Sequence, residues 1–215
     1  MSPLMPRLAI VVLAAGGSSR FNGIKQLASL TSQHSLLSHT LTIIKTVQQQ
    51  ADFNIPHSGV IVGANKHKII EHITELERTD NRNPVEVVVN EQWHQGLSHS
   101  VHCAVNFAIQ NQCSALMLVL ADQVALTYAD FLALLEAFQQ NGQTCCAEYE
   151  QQLGVPAIFT QQDYSALLAL KGDSGAKKIL IQKQQLNTLN KVVLPYAGID
   201  IDTKADLQLW QANKE

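Results

Sequence analysis

A chain of 215 residues, 46% of them hydrophobic, can bury one substantial core and is short for two independent domains. Its formal net charge of −3 excludes broad attraction to nucleic acid or an anionic membrane, so an anionic ligand must be held by local donors and a cation. No apolar run reaches bilayer-spanning length, and Cys103, Cys113, Cys145 and Cys146 lack C-x-x-C spacing, which fits buried free thiols in a reducing cytoplasm. Leu8 to Leu13, rich in Val and Ile, reads as a strand covered on both faces of a parallel sheet. The apolar core ahead of Ala14-Ala15-Gly16 is too short for a secretory leader. Helical spacing follows over Ser35 to Val47, then a strand at Gly59 to Val62 and a helix at Lys66 to Leu76. Val85 to Val89 and Ala115 to Ala121 read as strands, Leu97 to Ile109 and Thr127 to Phe138 as helices, with Thr127 as an N-cap. This repeated alternation implies an α/β fold, a three-layer doubly wound and mostly parallel sheet, with its site beyond the strand C-termini. The remainder is less regular: strands at Cys145 to Glu148 and Val155 to Phe159 flank a turn at Gly154, and a short helix covers Asp163 to Leu170. Strands at Val192 to Leu194 and Ile199 to Ile201 precede a last helix, Ala205 to Ala212; Gln48 to Gln50 and Gln182 to Gln185 read as exposed helix ends.

The stretch Leu13 to Leu27, LAAGGSSRFNGIKQL, turns abruptly glycine-rich and basic at the end of the first strand. Gly16 and Gly17 allow close backbone approach, so that successive N–H groups can face one anion; Ser18 and Ser19 add hydroxyl donors, Arg20 and Lys25 two cations. Such a loop suits a polyphosphate. It is neither a Walker A loop nor a G-x-G-x-x-G fingerprint. Leu118 to Gln123 delivers Asp122 to the same sheet edge, where a carboxylate can bind Mg²⁺ or cap a turn. Asn90, Trp93, Gly96, Ser98 and Ser100 lie where a helix opens, and its free amides suit an anion. His94, His99 and His102 lack a fourth zinc ligand and read as polar helix-start positions. Further on, Gly154 with Pro156, and Gly172-Asp173 with Gly175 and Lys177, form two more punctuated segments; Asp173 and Lys177 face a second substrate or belong to a helix cap. Asp200-Ile-Asp202-Thr203 places two carboxylates on one face of a strand, with Asp202 the choice for a metal site and Asp202 or Thr203 at the helix start.

Taken in order from Leu13 to Asp206, these segments resemble the MobA-like nucleotidyltransferases. The family signatures are L-A-A-G-x-S-x-R-M-G-x-x-K-x-L, N-x-x-W-x-x-G-M-x-S-S-L, D-x-P, G-x-P-x-x-F, G-D-x-G-A-R and D-I-D-T. This chain departs at Phe21 for Met, Asn22 for Gly, His99 for Ser, His102 for Arg, Val124 for Pro, Val155 for His and Lys177 for Arg. Gly23 follows Asn22 at once, so the tight turn is expected to shift, and His102 replaces the Arg near phosphate only if protonated.

The resemblance is closest to the molybdenum cofactor cytidylyltransferases, in which the LAAG form goes with CTP and LAGG with guanylyl transfer; Ala15 therefore implies CTP. It implies one nucleotidyltransferase domain, with a nucleotide-binding part at about 7–125 and an acceptor-binding part at about 126–215. Catalysis falls to Arg20, Lys25 and Asp122, and nucleotide binding to Leu13, Ala14, Ala15, Gly16, Gly17, Ser18, Ser19, Arg20, Lys25, Asn90, Gly96 and Ser100. Mg²⁺ falls to Asp122 and Asp202, the acceptor to Gly154, Pro156, Asp173 and Lys177. The implied partners are CTP, molybdopterin as phosphorylated acceptor and a molybdoenzyme, in the cytoplasm, with no nucleic acid and no membrane. Other readings stay open. One is a nucleotidyltransferase acting on a sugar phosphate or a methylerythritol-type phosphate. Another is a non-catalytic nucleotide-binding or cofactor-insertion accessory protein, suggested by Asn22, His99, His102 and Val124. A third is an interaction domain on the same fold.

Overall fold

The computed structural model describes residues 5–80 and 82–213. Strand β1 (Leu8–Ala14) lies at the centre, parallel to β2 (His57–Val62) on one side and β4 (Ala115–Leu120) on the other. Every residue of β1 is buried, as a strand covered on both faces requires. Alternate side chains feed two cores. Ile10 and Val12 pack with Leu37, Leu41 and Ile44 of helix α1 (Leu36–Gln50), Ile69 of α2 (Lys66–Thr79) and Phe131 of α4 (Tyr128–Asn141). On the other face Ala9 and Val11 meet Val101 and Val105 of α3 (Leu97–Gln110), Leu167 of α5 (Tyr164–Leu168) and Leu180 of α6 (Lys177–Gln185). The three layers expected from the alternation are therefore present.

The sheet runs β3-β2-β1-β4-β6-β5-β7, with β3 (Glu86–Val89), β5 (Cys145–Tyr149), β6 (Gln152–Thr160) and β7 (Asn190–Val193). From β1 the chain moves outward to β2 and β3, then returns to the other side of β1 as β4. A crevice opens where the order reverses, at the C-terminal ends of β1 and β4. Among the described strands only β6 runs antiparallel to both its neighbours.

Two expectations are corrected here. The β5–β6 turn lies at Glu150 and Gln151, whose φ angles of 49° and 61° suit a tight hairpin, and Gly154 sits inside β6 opposite Ala147. A Cβ on Gly154 would come within 2.2 Å of the Tyr149 hydroxyl, so the glycine makes room for that ring, while Val155 and Pro156 bulge out of the ladder. Ile199 to Ile201 is not a strand: it follows a one-turn helix at Pro195–Gly198, and buried Ile201 joins Phe21, Leu30, Leu36 and Val124 in a small third core. The last helix, α7 (Lys204–Ala212), starts at a capping box in which Thr203 Oγ accepts from Asp206 N and Thr203 N donates to the Asp206 carboxylate.

All four cysteines are free; Cys113, Cys145 and Cys146 are buried and Cys103 half-buried. Burial pushes Cys145 and Cys146 up to about 12. At pH 8 this suppresses their thiolates by about 10³-fold relative to an unperturbed thiol. Mass spectrometry after iodoacetamide treatment should find both unmodified in the native protein and modified once it unfolds; native labelling at ordinary rates would contradict their enclosure. Among the described residues no helix is long and apolar enough to cross a membrane.

Candidate active site

Leaving β1, the chain folds back over its own strand end and closes with a single helical turn at Lys25–Leu27. Ser18 and Asn22 take φ of 53° and 52°, and Phe21 N donates to Ser18 O across 2.9 Å. Asparagine tolerates this left-handed region, so Asn22 takes the positive φ at the position where the family signature has glycine, and Gly23 follows at φ 153°. The amides of Gly16, Gly17, Ser18 and Ser19 donate no hydrogen bond to any described residue. They are open to an anion. On its outer side the loop is braced: Ala64 N donates to Ala15 O, and the Trp93 ring lies against Gly17. A Cβ on Gly63 would meet Trp93 Cβ at 2.6 Å and Ala15 O at 2.7 Å, so this close approach requires glycine.

Opposite the loop stands the charged group. Lys25 Nζ lies 2.6 Å from Asp122 Oδ2 and 3.0 Å from Asp202 Oδ1, and the Arg20 guanidinium lies 2.9 Å from Asp202 Oδ2. Asp122 arrives at the end of β4, and its carbonyl accepts from Ile201 N at 3.1 Å, which anchors the segment carrying Asp202. Burial works against the Lys25 charge, but Asp122 and Asp202 outweigh it and raise its pKa. Asp200 is pushed up to about 6 by desolvation of its carboxyl, then by the negative charge of Asp122 and Asp202. Asp122 Oδ1 is buried without a hydrogen-bond partner among the described residues, an atom suited to a cation. Among those residues no three His, Cys, Asp or Glu side chains gather as a ready metal centre. An ion at Asp122 and Asp202 would need further ligands from a substrate, as Mg²⁺ usually does.

Loop and charges share one cleft of about 270 Å³. Leu13, Ala14, Ala15, Gly16, Ser18, Ser19, Arg20, Lys25, Ser100, Asp122 and Asp202 all line it. So do Gln26, Leu97 and Leu120, which the sequence reading did not single out. Asn90 stands behind the wall: its Nδ2 donates to Ser100 Oγ at 3.1 Å, and its Oδ1 accepts from Gln92 N at 3.0 Å. Gly96 opens α3 at φ 105°, where a Cβ would strike the Gly172 carbonyl carbon at 2.4 Å and Asp173 Oδ1 at 2.7 Å. Ser98 N donates to Gly172 O, and a Cβ on Gly175 would approach Leu97 Cδ2 at 2.8 Å, so the 172–175 loop packs on a wall residue of the cleft. Gly154, Pro156, Asp173 and Lys177 do not line it, and Lys177 Nζ donates to Gln152 Oε1. His102 does not replace the family's arginine. Its ring bonds the Leu170 carbonyl at 3.1 Å, and burial with His99 alongside lowers its pKa, so it is a neutral tie between α3 and the 170–175 loop.

The sequence matches the MobA-like NTP transferase domain over residues 10–188. No curated protein matches it significantly. Solved structures similar to it include Rv0371c from Mycobacterium tuberculosis in complex with manganese, at 19% identity and TM-score 0.70, covering 97% of this chain and 100% of that one. A second is 4-diphosphocytidyl-2C-methyl-D-erythritol synthase from Anaerococcus prevotii, at 13% identity and TM-score 0.74, over 97% and 96% of the two chains. A third is CMP:2-keto-3-deoxy-manno-octonic acid synthetase complexed with CTP, at 13% identity and TM-score 0.64, over 97% and 98%. At these identities the likenesses establish a common fold. The matched domain extends from the middle of β1 to beyond α6, through both the amide loop and Asp122, and the chain belongs to the MobA-like NTP transferase domain family.

Proposed function

We propose that this protein transfers the cytidylyl group of CTP to a phosphorylated acceptor of the molybdopterin type and releases pyrophosphate. One observation carries the reading: the open amides after β1, the Lys25 ammonium and the carboxylates of Asp122 and Asp202 converge on a single cleft at the sheet's reversal point. The LAAG form, with Ala15 on the cleft wall, supports CTP, and the likeness to a synthetase complexed with CTP agrees with it.

In this reading an acceptor phosphate oxygen attacks the α-phosphorus of CTP, a new P–O bond forms, and the bond to the departing pyrophosphate breaks. The chain supplies no covalent intermediate. Leu13, Ala14 and Ala15 form the floor beside the nucleotide, and the amides of Gly16 to Ser19 hold the phosphates by their N–H groups. Asn90 holds the hydroxyl of the wall residue Ser100 by a hydrogen bond, while Gly96 shapes the start of α3. Arg20 and Lys25 stabilise the charge that grows on the leaving pyrophosphate. Asp122, with its unpartnered oxygen, and Asp202 would hold Mg²⁺, which when bound supplies charge neutralisation at the phosphates; the manganese in the mycobacterial relative fits such a site. The acceptor side falls to the second part of the chain, about 126–215, with Gly154, Pro156, Asp173 and Lys177. The packing of Gly175 on Leu97, and of Asp173 beside Gly96, supports a place for Asp173 close to the cleft wall. Asp202 crosses back from that part to the nucleotide side.

Pyrophosphate release with each NTP and Mg²⁺ tests the reading, with molybdopterin, a sugar 1-phosphate or methylerythritol phosphate as acceptor. CTP with molybdopterin should be the productive pair. Turnover with another acceptor in its place would reassign the substrate, and nucleotide binding without any turnover would favour the accessory role.

A further inference from the structure

The open amides of the loop are held from beneath, and the side chain of Gln26 supplies one of the constraints, at the Gly16–Gly17 peptide and the Ser18 hydroxyl. The family signature leaves this position unspecified. Gln26 is 5% exposed and sits under the loop. Its Nε2 donates to the carbonyls of Ala14 at 3.1 Å and Gly16 at 3.2 Å, while its Oε1 accepts from Ser18 Oγ at 3.3 Å. In a planar trans peptide the C=O and N–H point in opposite directions. Drawing the Ala14 and Gly16 carbonyls onto Gln26 therefore turns the N–H groups of Ala15 and Gly17 away from it. The intervening carbonyl, Ala15 O, is taken by Ala64 N. A side chain with two donors and one acceptor is what this underside calls for, and glutamine carries both.

We propose that Gln26 is a positioning residue, which sets nucleotide affinity by fixing the peptide orientations of the phosphate loop and takes no part in the chemical step. The inference rests on the reading of this loop as the triphosphate cradle. Gln26→Glu keeps the shape but puts acceptors against two carbonyls, and Gln26→Met removes all three bonds.

Both variants should raise the KM for nucleotide, and the Kd for inorganic pyrophosphate, by about 10- to 100-fold, with kcat changed less than about 3-fold. A carboxyl enclosed among carbonyl oxygens titrates above its ordinary value of about 4.3, and once protonated it donates again. Relative to wild type, Q26E should therefore regain pyrophosphate affinity as the pH falls from about 8 to about 5.5, and Q26M should not. A purely structural role would not produce that difference. Ser18→Ala, which removes one bond of the brace, should give a smaller loss in the same direction and serves if the Gln26 variants fold poorly. Folded variants with wild-type affinity, or losses in Q26E and Q26M with the same pH dependence, would overturn the assignment of Gln26. Failure of the wild-type protein to bind pyrophosphate or any NTP would instead overturn the cradle reading beneath it.

Discussion

Asp122→Asn is expected to lower kcat by at least about 10³-fold, about 4 kcal/mol of barrier, while the protein stays folded. The substitution keeps the shape of the side chain and removes its charge. One carboxylate oxygen holds Lys25 and the other is buried without a partner, so both positions change character when the group becomes an amide. Lys25 retains Asp202, so its half-enclosed cation is not stranded and the melting temperature should fall by only a few degrees. Pyrophosphate release at saturating CTP and Mg²⁺, with a circular dichroism melt, measures both. Near-wild-type turnover would dismiss Asp122 as the central carboxylate of the site.

Lys25→Met should produce two effects of opposite sign. Transfer should fall by about 10²- to 10³-fold, because the proposed function assigns this cation to the leaving phosphates. Metal binding without nucleotide should strengthen by at least about 10-fold, because the ammonium now occupies the position between the carboxylates that would receive the ion. On the proposed reading, an arriving triphosphate would give Lys25 another anionic partner in the wild type. Titration of Mn²⁺ followed by electron paramagnetic resonance, on nucleotide-free wild type and variant, measures this directly. Equal affinities would mean that Lys25 does not compete with the metal.

Much of this was legible in the sequence for physical reasons that differ by region. Strands buried on both faces are written as uninterrupted apolar runs, which is why β1 and β4 stood out, and why Asp122 was conspicuous as the first charge after one of them. The loop was visible through glycines and cations at fixed spacing. Gln26 was not, since nothing in a pattern reveals that one polar side chain of a surface-looking segment points inward to satisfy carbonyls. Residues 199–202 alternate like a strand, but Ile201 is buried in the third core and Asp202 is held by Arg20 and Lys25, with no partner strand among the described residues. Gly154 reads as a turn because glycine does not suit a regular ladder; the chain keeps it inside β6 and accommodates Val155 and Pro156 by a bulge. Helix α6 buries only Ile179 and Leu180, so its amphipathic signal is weak.

Phe21, Val124 and Ile201 come from distant parts of the chain, yet they meet in the same small core. Each lies one or two positions from Arg20, Asp122 or Asp202. The relative placement of the three charges is thus set by a shared apolar knot as much as by the strands themselves. Two of its members, Phe21 and Val124, are also positions where this chain parts from the family signature. They form a matched set: transplanting the loop from a relative without residue 124, or the reverse, would import a mismatch that neither exchange reveals alone, and epistasis between the two sites follows from their common packing.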